Sequence, residues 1–381
     1  VCGTRGRWFE STLLYQKMVK NKKSKPSKEL PAGFVDRREK ELLIRDFVVS
    51  NIKEIMIKYG FQYLETPSFE YTDSIGKFLP DKDRPDSGVF SFKDENNWLS
   101  LRYDLTAPLA RYVAKNYLEL PKPFKRYQLG TVWRNEKPGP GRFREFLQFD
   151  ADFIGTKNLI SDAELCLMIS EILKKCGLEK KDFTIKWSTR KISDFLFEQL
   201  KINSSTKRLK VLRSLDKLDR LGWEEVKKLL GKGRKDRSGD FTAGAELSPN
   251  EIKDIYEIFV KKEATLSAEN FDEKVGKDIK DMKKYLTLFG LENSVFDPSI
   301  IRGLEYYTGP VFEVNLNFQV KNSKGKNIQF GSIGGGGRYD NLVSNFGNLD
   351  CPSTGISIGI DRLVFALMQK KDFEIKSTRP V

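Results

Sequence analysis

The segment Trp133-Arg-Asn-Glu-Lys-Pro-Gly-Pro-Gly-Arg-Phe-Arg-Glu-Phe-Leu-Gln-Phe-Asp-Ala-Asp152, preceded by Leu101-Arg-Tyr-Asp-Leu-Thr106, decides the fold of this chain. It predicts two strands, 124–134 and a second from Arg142, joined by a loop of glycine and proline. From Arg142 onward the residue types alternate with a period of two, which is typical of a strand. One face carries Arg142, Arg144, Phe146, Gln148, Asp150 and Asp152, and the other carries Phe143, Glu145, Leu147, Phe149, Ala151 and Phe153.

The polar face of this hairpin has arginines at one end and acids at the other. On the first strand, Arg126, Gln128 and Arg134 share one face. A guanidinium binds two phosphate oxygens at once, whereas carboxylates and an amide suit an ammonium or a polar side chain. One sheet face can therefore hold an anion beside a zwitterion. Taken alone, the pattern also fits an amphipathic hairpin with a solvated outer face; the other motifs of the chain favour the binding site.

Composition limits the classes of protein to which the chain can belong. Its 381 residues suffice for two or three domains, 39% of them are hydrophobic, and no apolar run is long enough to span a bilayer. The cysteines at positions 2, 166, 176 and 351 show neither zinc-ligand spacing nor a disulfide framework. No histidine occurs, which excludes His-containing zinc sites and Ser-His or Cys-His nucleophiles. We therefore expect a cytoplasmic protein without a membrane segment and without zinc.

The charge of the chain is strongly basic. A net charge of +14 and a pI near 9.3 suggest a polyanionic partner such as nucleic acid. Lysines scattered over a surface would give the same totals and bind nothing in particular. Charge alone leaves both alternatives open.

Four further strings complete an ordered set of signatures. They are Tyr63-Leu-Glu-Thr-Pro67, Ile301-Arg-Gly-Leu-Glu-Tyr-Tyr-Thr-Gly-Pro-Val-Phe-Glu313, Gly334-Gly-Gly-Gly-Arg-Tyr-Asp-Asn-Leu342 and Gly355-Ile-Ser-Ile-Gly-Ile-Asp-Arg-Leu363. Together with the hairpin, they resemble the three motifs of class II aminoacyl-tRNA synthetases and the two histidine-specific signatures of the histidyl enzymes. The resemblance covers residues 30 to 379 in the expected order, and it is far more specific than one glycine-rich loop.

The resemblance implies an α+β fold, in which helices flank the antiparallel sheet of class II synthetases and a mainly helical domain is inserted. We expect a disordered or non-native leader at 1–29, the catalytic domain at 30–181 and 294–379, and the insertion at 182–293. An anticodon-binding domain is expected to follow, with 380–381 at its start, so the chain is either a fragment or a relative without that domain. The apolar stripe of the helix at 38–58 predicts a homodimer interface, because the helix and strand of motif 1 build that interface in class II enzymes.

The resemblance also implies residues that bind ATP. Arg134 is expected at the α-phosphate, Arg142 at the β/γ end and Arg362 at the γ-phosphate, with Phe146 stacked on adenine and Glu136 near its edge. Arg302 is expected beside the α-phosphate and the attacking carboxylate, in place of a metal ion, so that Arg302 and Arg134 are the catalytic residues. Without the motif, Arg302 would be read as an arginine before a glycine turn, paired with an acid such as Glu305.

Histidine recognition is expected at the acidic end of the hairpin. By the resemblance, Asp104, Thr106 and Gln148 bind the ammonium, Asp152 and Tyr307 bind the imidazole, and Tyr306 lines the pocket. Adjacent tyrosines are more often strand packing. The glycine run at 334–337 lacks the spacing of a dinucleotide loop, and close approach of the backbone to the amino acid explains it better.

The sequence therefore predicts a histidine–tRNA ligase that uses ATP with Mg²⁺ and charges tRNA(His). One alternative is a non-catalytic regulatory subunit of ATP phosphoribosyltransferase, which would also lack the anticodon domain but tends to lose the ATP arginines. Another is a glycyl or prolyl enzyme, against which the string from Arg302 to Tyr307 argues.

Overall fold

The computed structural model describes residues 27–76, 88–139, 141–235, 239–262, 268–303, 307–321, 325–347, 349–370 and 372–374. The leader predicted at 1–29 therefore lies outside the described residues up to position 26, as do Tyr306, Glu305 and residues 380–381. In the described ranges, every helix is too short or too polar to cross a bilayer.

The strands form one large sheet, one small sheet and a short hairpin. They are β1 Gln62–Tyr63, β2 Phe69–Tyr71, β3 Ser91–Asp94, β4 Asn97–Leu101, β5 Phe124–Trp133, β6 Glu145–Ile154, β7 Phe183–Thr189, β8 Gly233–Lys235, β9 Phe241–Ala243, β10 Ser294–Phe296, β11 Pro310–Lys321, β12 Asn327–Arg338 and β13 Ser353–Gly359. The large sheet has the order β1-β5-β6-β13-β12-β11-β7-β10, and β2-β4-β3 form the small sheet. Neighbours in the large sheet are antiparallel except at its edges, where β1 and β10 pair in parallel.

The helices pack mainly on one face of the large sheet and in the segment between β7 and β10. They are α1 Glu39–Lys58, α2 Thr72–Gly76, α3 Thr106–Asn116, α4 Ile160–Lys175, α5 Lys191–Gln199, α6 Ser205–Leu215, α7 Leu218–Leu221, α8 Trp223–Leu230, α9 Pro249–Tyr256, α10 Glu273–Leu288 and α11 Ile360–Gln369. Helix α1 packs against α4 and α11, and α4 also packs on β13 and α10. The mixture of a mostly antiparallel sheet with flanking helices is the α+β architecture that the sequence predicts.

The period of two in β6 separates the core from the opposite face of the sheet. Phe149, Ala151 and Phe153 are fully buried in the main hydrophobic core. The residues between them point to the other face, since side chains alternate along a strand. Their polar side chains are nevertheless buried, so the alternative of a solvated outer face is wrong.

Helix α1 shows why this segment is helical and what its apolar stripe does. Ile44, Val48, Ile52, Ile55 and Met56 recur at helical spacing and are buried within the chain's own core. The helix ends before Gly60, which has a positive φ of 73°. The chain's own core therefore covers most of the stripe, while Leu43 and Ile57 stay exposed, and the predicted use of the stripe as a dimer interface stays a prediction.

Most predicted elements are found, with shifted boundaries. The predicted hairpin matches closely. The strand of motif 1 is only the two-residue β1, and β12 runs from Asn327 through the glycine run to Arg338. Strand β7 lies inside the segment 182–293 but belongs to the large sheet, so the helices between the two catalytic segments begin after it, at Lys191. The domain boundaries stay predictions.

Candidate active site

The candidate site lies on one face of five adjacent strands, and strand register places its residues in rows. Directly paired residues of antiparallel strands share a face. One row runs across the sheet as Arg126, Asp152, Gly355, Gly337 and Val311, and the next as Gln128, Asp150, Ser357, Gly335 and Glu313. A third row holds Gly130, Gln148 and Gly359. The acidic residues of β6 therefore occupy the middle of a floor that is rich in glycine.

Glycine is required in this floor because neighbouring side chains lie where a Cβ would be. A Cβ on Gly355 would lie 2.0 Å from Oδ1 of Asp152, and one on Gly335 would lie 3.0 Å from Cζ of Arg302. A Cβ on Gly337 would come within 3.2 Å of the Tyr307 ring. The close approach predicted for the glycine run is therefore an approach to site residues of the chain itself.

Asp152 belongs to a buried ion pair at the acidic end. Its Oδ2 lies 3.2 Å from Nε of Arg126, and both side chains are almost completely buried. The Tyr339 hydroxyl donates a hydrogen bond to Oδ1 of Asp152. Burial raises the pKa of Asp152, while the charge of Arg126 and the Tyr339 hydrogen bond oppose that rise.

Asp150 lies one row away and connects two residues that the sequence assigns to the ammonium. The Gln148 amide donates to Oδ1 of Asp150 over 2.8 Å, and the Thr106 hydroxyl donates to Oδ2 over 3.3 Å. Burial, together with the charge of Asp152, raises the pKa of Asp150 to about 7, against the opposing charge of Arg126. Asp104, the third predicted ammonium ligand, accepts the backbone N–H groups of Thr106 and Ala107 at the start of α3.

Arg134 occupies the junction between the acidic and basic ends. Its Nη2 donates to the Gln148 carbonyl over 3.2 Å, and its Nε donates to the backbone oxygen of Tyr103. The guanidinium carbon lies 4.6 Å from the centre of the Tyr103 ring and 5.2 Å from that of Phe146. The Tyr103 hydroxyl donates a hydrogen bond to Glu136 over 2.6 Å. Arg134, Tyr103, Phe146 and Glu136 therefore form one wall of the site.

Arg302 and Arg362 meet at Ser332. Nη1 of Arg302 donates to the Ser332 hydroxyl over 2.9 Å and also pairs with Glu313. Nε of Arg362 donates to the backbone oxygen of Ser332 over 2.5 Å, and its Nη2 donates to that of Phe330. The partner of Arg302 in this structure is therefore Glu313, whereas Glu305 is outside the described residues.

The basic end brings three predicted phosphate ligands into electrostatic contact. Burial, together with the charges of Arg142 and Arg302, lowers the pKa of Arg362 to about 10. Arg142 is exposed beside the turn that pairs Gly139 with Arg142. Three neighbouring cations repel one another, and a polyphosphate would relieve that repulsion.

Several of these residues were missed by sequence reasoning. Tyr339, Ser332 and Glu313 bond directly to predicted site residues. Tyr339 and Glu313 lie within the histidine-specific signatures, whereas no motif included Ser332. Arg126 and Asp150 were placed on the polar face by periodicity, but nothing in the spacing assigned them a partner. Tyr307 lies over Gly303 and Gly337, and Tyr306 is outside the described residues.

A sequence profile of the family described as Histidyl-tRNA synthetase matches residues 33–363. The chain belongs to the histidyl-tRNA synthetase family. The histidine–tRNA ligase of Bartonella quintana (strain Toulouse) is 48% identical over 377 residues, which cover 94% of this chain and 76% of that protein. The histidine–tRNA ligase of Brucella ovis is 46% identical over 374 residues, covering 94% and 74%.

Solved structures agree with this membership of the histidyl-tRNA synthetase family. The histidyl-tRNA synthetase of Nostoc sp. PCC 7120 superposes with a TM-score of 0.69 at 26% identity, covering 90% of this chain and 76% of that one. A Bacillus halodurans C protein, titled ATP phosphoribosyltransferase regulatory subunit/histidyl-tRNA synthetase, gives a TM-score of 0.70 at 25% identity, covering 90% and 84%. The chain is thus a class II aminoacyl-tRNA synthetase with the predicted fold, and an enzyme of the ligase class.

Proposed function

We propose that this chain activates histidine with ATP and transfers it to tRNA(His). In the first step a carboxylate oxygen of histidine attacks the α-phosphorus of ATP, and the bond to the departing pyrophosphate breaks. In the second step a ribose hydroxyl of the tRNA end attacks the acyl carbon, loses its proton, and AMP leaves. Neither step needs a protein nucleophile, so positioning and charge neutralisation are the main tasks of the site. The observation that carries the proposal is a buried acidic end joined to a cluster of arginines on one sheet face of a family member.

The arginine cluster suits the triphosphate. Arg134, Arg142 and Arg362 are proposed to hold the α-, β/γ- and γ-phosphates, and their fixed charges need no reorganisation during the reaction. Arg302 is proposed to contact the α-phosphate and the attacking carboxylate, because its guanidinium stays charged and can span two oxygens. Phe146 and Glu136 are proposed to bind the adenine from the wall that Arg134 shares.

The acidic end suits the amino acid. Asp104, Thr106 and Gln148 are proposed to receive its ammonium group, and Asp152 with Tyr307 its imidazole nitrogens, with Tyr306 at the pocket wall. An imidazole has one N–H donor and one acceptor nitrogen, so a pocket with a matched polar pair can reject apolar analogues strongly.

Magnesium is proposed to arrive with ATP rather than in a protein cage. Among the residues that the structure describes, no group of three or more Cys, Asp or Glu side chains is arranged to hold a metal ion. Glu313, a carboxylate at this end of the site, is already paired with Arg302. This end of the site is therefore compatible with a Mg²⁺ ion bound by the phosphates of ATP, and we assign no protein ligand to that ion.

A basic surface in the helical segment supports the proposed tRNA partner. Burial lowers the pKa of Lys217, and the charges of Arg220, Arg234 and Arg213 lower it further. The adjacent Asp216 keeps some exposure to solvent, but partial burial of its carboxyl group raises its pKa. The charge of Glu313 raises this pKa as well, and the charge of Arg302 lowers it. The influence of Arg302 and Glu313 on Asp216 supports a position of the cationic cluster near the proposed reaction centre, where the phosphates of a tRNA end would have to lie.

A second copy of the chain is the proposed partner for the outer face of the small sheet. Phe69, Tyr71 and Phe92 lie on that face and are 49%, 57% and 43% exposed. The rings of Phe69 and Phe92 touch edge to face at 5.5 Å. A contiguous exposed aromatic surface is typical of a protein interface, and it lies next to the strand of motif 1. We also propose a cytoplasmic location, which the free thiols of Cys166, Cys176 and Cys351 support.

Histidine-dependent exchange of pyrophosphate into ATP tests the first step, and charging of tRNA(His) transcript tests the second. Exchange should require histidine among all amino acids offered. A folded protein that exchanges with no amino acid, or with glycine or proline, contradicts the proposal. Lys217→Glu with Arg220→Glu should reduce charging while exchange continues, whereas Lys53→Glu on α1 should reduce neither.

The likeness to the Bacillus halodurans C protein, whose title names a regulatory subunit, favours one second candidate. A regulatory subunit would stimulate ATP phosphoribosyltransferase and would not exchange pyrophosphate. The relatives at 46–48% identity all carry the name histidine–tRNA ligase, and the ATP arginines are present. The regulatory function is therefore less well supported than the ligase.

A further inference from the structure

Asp150 is a buried carboxylate for which the family signatures give no role. It is 1% exposed and lies in the central row of the site floor, between Gln128 and Ser357. Its position links the two proposed ammonium ligands Thr106 and Gln148, each of which donates a hydrogen bond to one of its oxygens.

The hydrogen bonds to Asp150 come from neutral groups. They are the Gln148 amide and the Thr106 hydroxyl, and the Ser357 side chain also contributes. Within the part of the chain that the structure describes, no lysine or arginine lies within ion-pair distance of Asp150, whereas Asp152 has Arg126. A buried carboxylate without a cation is costly, and a cationic ligand at this point would remove that cost.

Charged groups around Asp150 do not supply that cation. Asp152 adds a second negative charge, and the donors of Arg102 are directed to the backbone oxygens of Thr66 and Thr131. Arg126 is directed to Asp152 and to the backbone oxygen of Leu105, and Tyr339 to Asp152. The two carboxylates share one directly paired guanidinium.

We infer that Asp150 provides the negative charge that attracts the ammonium of the amino acid, acting through and beside Thr106 and Gln148. This inference rests on the proposed function and goes beyond it, because it assigns a specificity-determining residue. The neighbouring Asp104 is a poorer source of that charge, since it is only half-buried and solvent screens its charge more than that of the fully buried Asp150. Asp150 thus selects for the α-amino group, while Asp152 and Tyr307 select for the ring.

Two inhibitors of exchange separate these roles. Histidinol keeps both the ammonium and the imidazole, and 3-(imidazol-4-yl)propionate keeps the imidazole but lacks the ammonium. Asp150→Asn preserves the shape of the side chain and removes its charge. It should weaken the binding of histidinol by about 10-fold or more, as expected for loss of a charged hydrogen-bond partner. The affinity for the deamino compound should stay within about twofold of wild type or increase, since that compound has no ammonium for the charge to attract. The KM for ATP should not change.

The inference is contradicted if Asp150→Asn weakens the binding of both inhibitors equally, because Asp150 would then only shape the pocket. It is also contradicted if histidinol binding is unchanged. Asp278→Asn is the matched control: Asp278 is a buried acid bonded to Thr189 and Lys191 away from the site, so it should alter thermal stability without altering either inhibition constant.

A measurement on the wild-type protein covers the case in which Asp150→Asn does not fold. Burial and the charge of Asp152 raise the pKa of Asp150 to about 7, so the acid pair holds a proton near neutral pH. An ammonium favours the ionised carboxylate, so histidinol binding should drive proton release from the acid pair, measured by calorimetry at pH 6.5 in buffers of different ionisation enthalpy. The imidazole of both compounds also titrates near this pH. After correction for the imidazole pKa of each compound, histidinol should release more protons than the deamino compound, and equal release contradicts the inference. If wild type lacks histidine-dependent exchange, the proposed function fails instead.

Discussion

Arg302 is the residue proposed to lie where the two substrates meet. Its side chain is 37% exposed, and Glu313 and Ser332 fix the direction of its guanidinium. An arginine buried against one acid would be structural, but this one keeps access to the cleft. In the proposed reaction, its charge would therefore be available to oxygens that develop negative charge during adenylation.

Replacement of Arg302 should separate chemistry from ATP binding. Arg302→Ala should lower the rate of adenylation by about 100-fold or more, by analogy with loss of one oxyanion-stabilising donor. ATP affinity should change little, because Arg134, Arg142 and Arg362 remain. Arg302→Lys should recover part of the rate, since a point charge cannot span two oxygens. Single-turnover measurements of adenylation and transfer provide the check, and near-normal adenylation with reduced folding stability would make Arg302 a structural partner of Glu313.

Replacement of Asp152 and of Tyr307 tests the proposed imidazole pocket. Asp152→Ala and Tyr307→Phe should each raise the KM for histidine far more than the KM for ATP. Each change leaves one buried polar group unmatched, at a cost of roughly 1–3 kcal/mol. Pyrophosphate exchange with titrated histidine measures both constants. Unchanged histidine dependence in both variants would refute the assignment.

Sequence reasoning at this scale found residue types and faces, and it missed pairings. Periodicity placed Gln148, Asp150 and Asp152 on one face because a period of two is a local property. That Tyr339 bonds Asp152 depends on the order of β12, β13 and β6 across the sheet, and no local pattern encodes that order. The partner of Arg302 was missed for the same reason.

At the scale of elements, the alternation of the hairpin and the stripe of α1 were sufficient to predict them. Strand β7 was missed inside a charged and mostly helical stretch, where its pairing with β11 overrides the local pattern. The extension of β12 through 334–337 was also missed, because glycine has a low strand propensity. Close packing of side chains over the strand explains why glycine is present there.

Strand β13 offers a direct test of that packing. In Gly355→Ala, the new methyl group would lie 2.0 Å from Oδ1 of Asp152, which Arg126 and Tyr339 hold in place. We expect a loss of about 1–3 kcal/mol in stability and a raised KM for histidine. Gly359→Ala is the control, since its nearest neighbour would be 3.4 Å away. Thermal unfolding and exchange kinetics give both values, and a normal histidine KM in Gly355→Ala would contradict the prediction.

At the scale of the whole molecule, the outer face of the small sheet predicts an obligate homodimer. Phe92→Glu should place a charge in the interface and shift the protein towards monomers. Leu288→Glu should leave the dimer intact, because Leu288 is 70% exposed on α10, away from that face. Sedimentation at micromolar concentration provides the measurement. A wild-type protein that sediments as a folded, active monomer would refute the dimer.

The meeting of Arg302 and Arg362 at Ser332 has a thermodynamic consequence. The Ser332 hydroxyl accepts a hydrogen bond from Arg302, which is proposed to contact the carboxylate of histidine. The Ser332 backbone oxygen accepts one from Arg362, which is proposed to contact the γ-phosphate of ATP. A β-bulge at this point in the pairing of β11 with β12 directs that peptide unit towards both. We therefore expect occupation of one substrate site to change the geometry offered to the other, and because linkage is reciprocal, the effect of ATP on histidine affinity would then equal that of histidine on ATP affinity. Titration of histidine with and without a non-hydrolysable ATP analogue should show this coupling in wild type and its reduction in Ser332→Ala, whereas equal affinities in wild type would show that the two sites are independent.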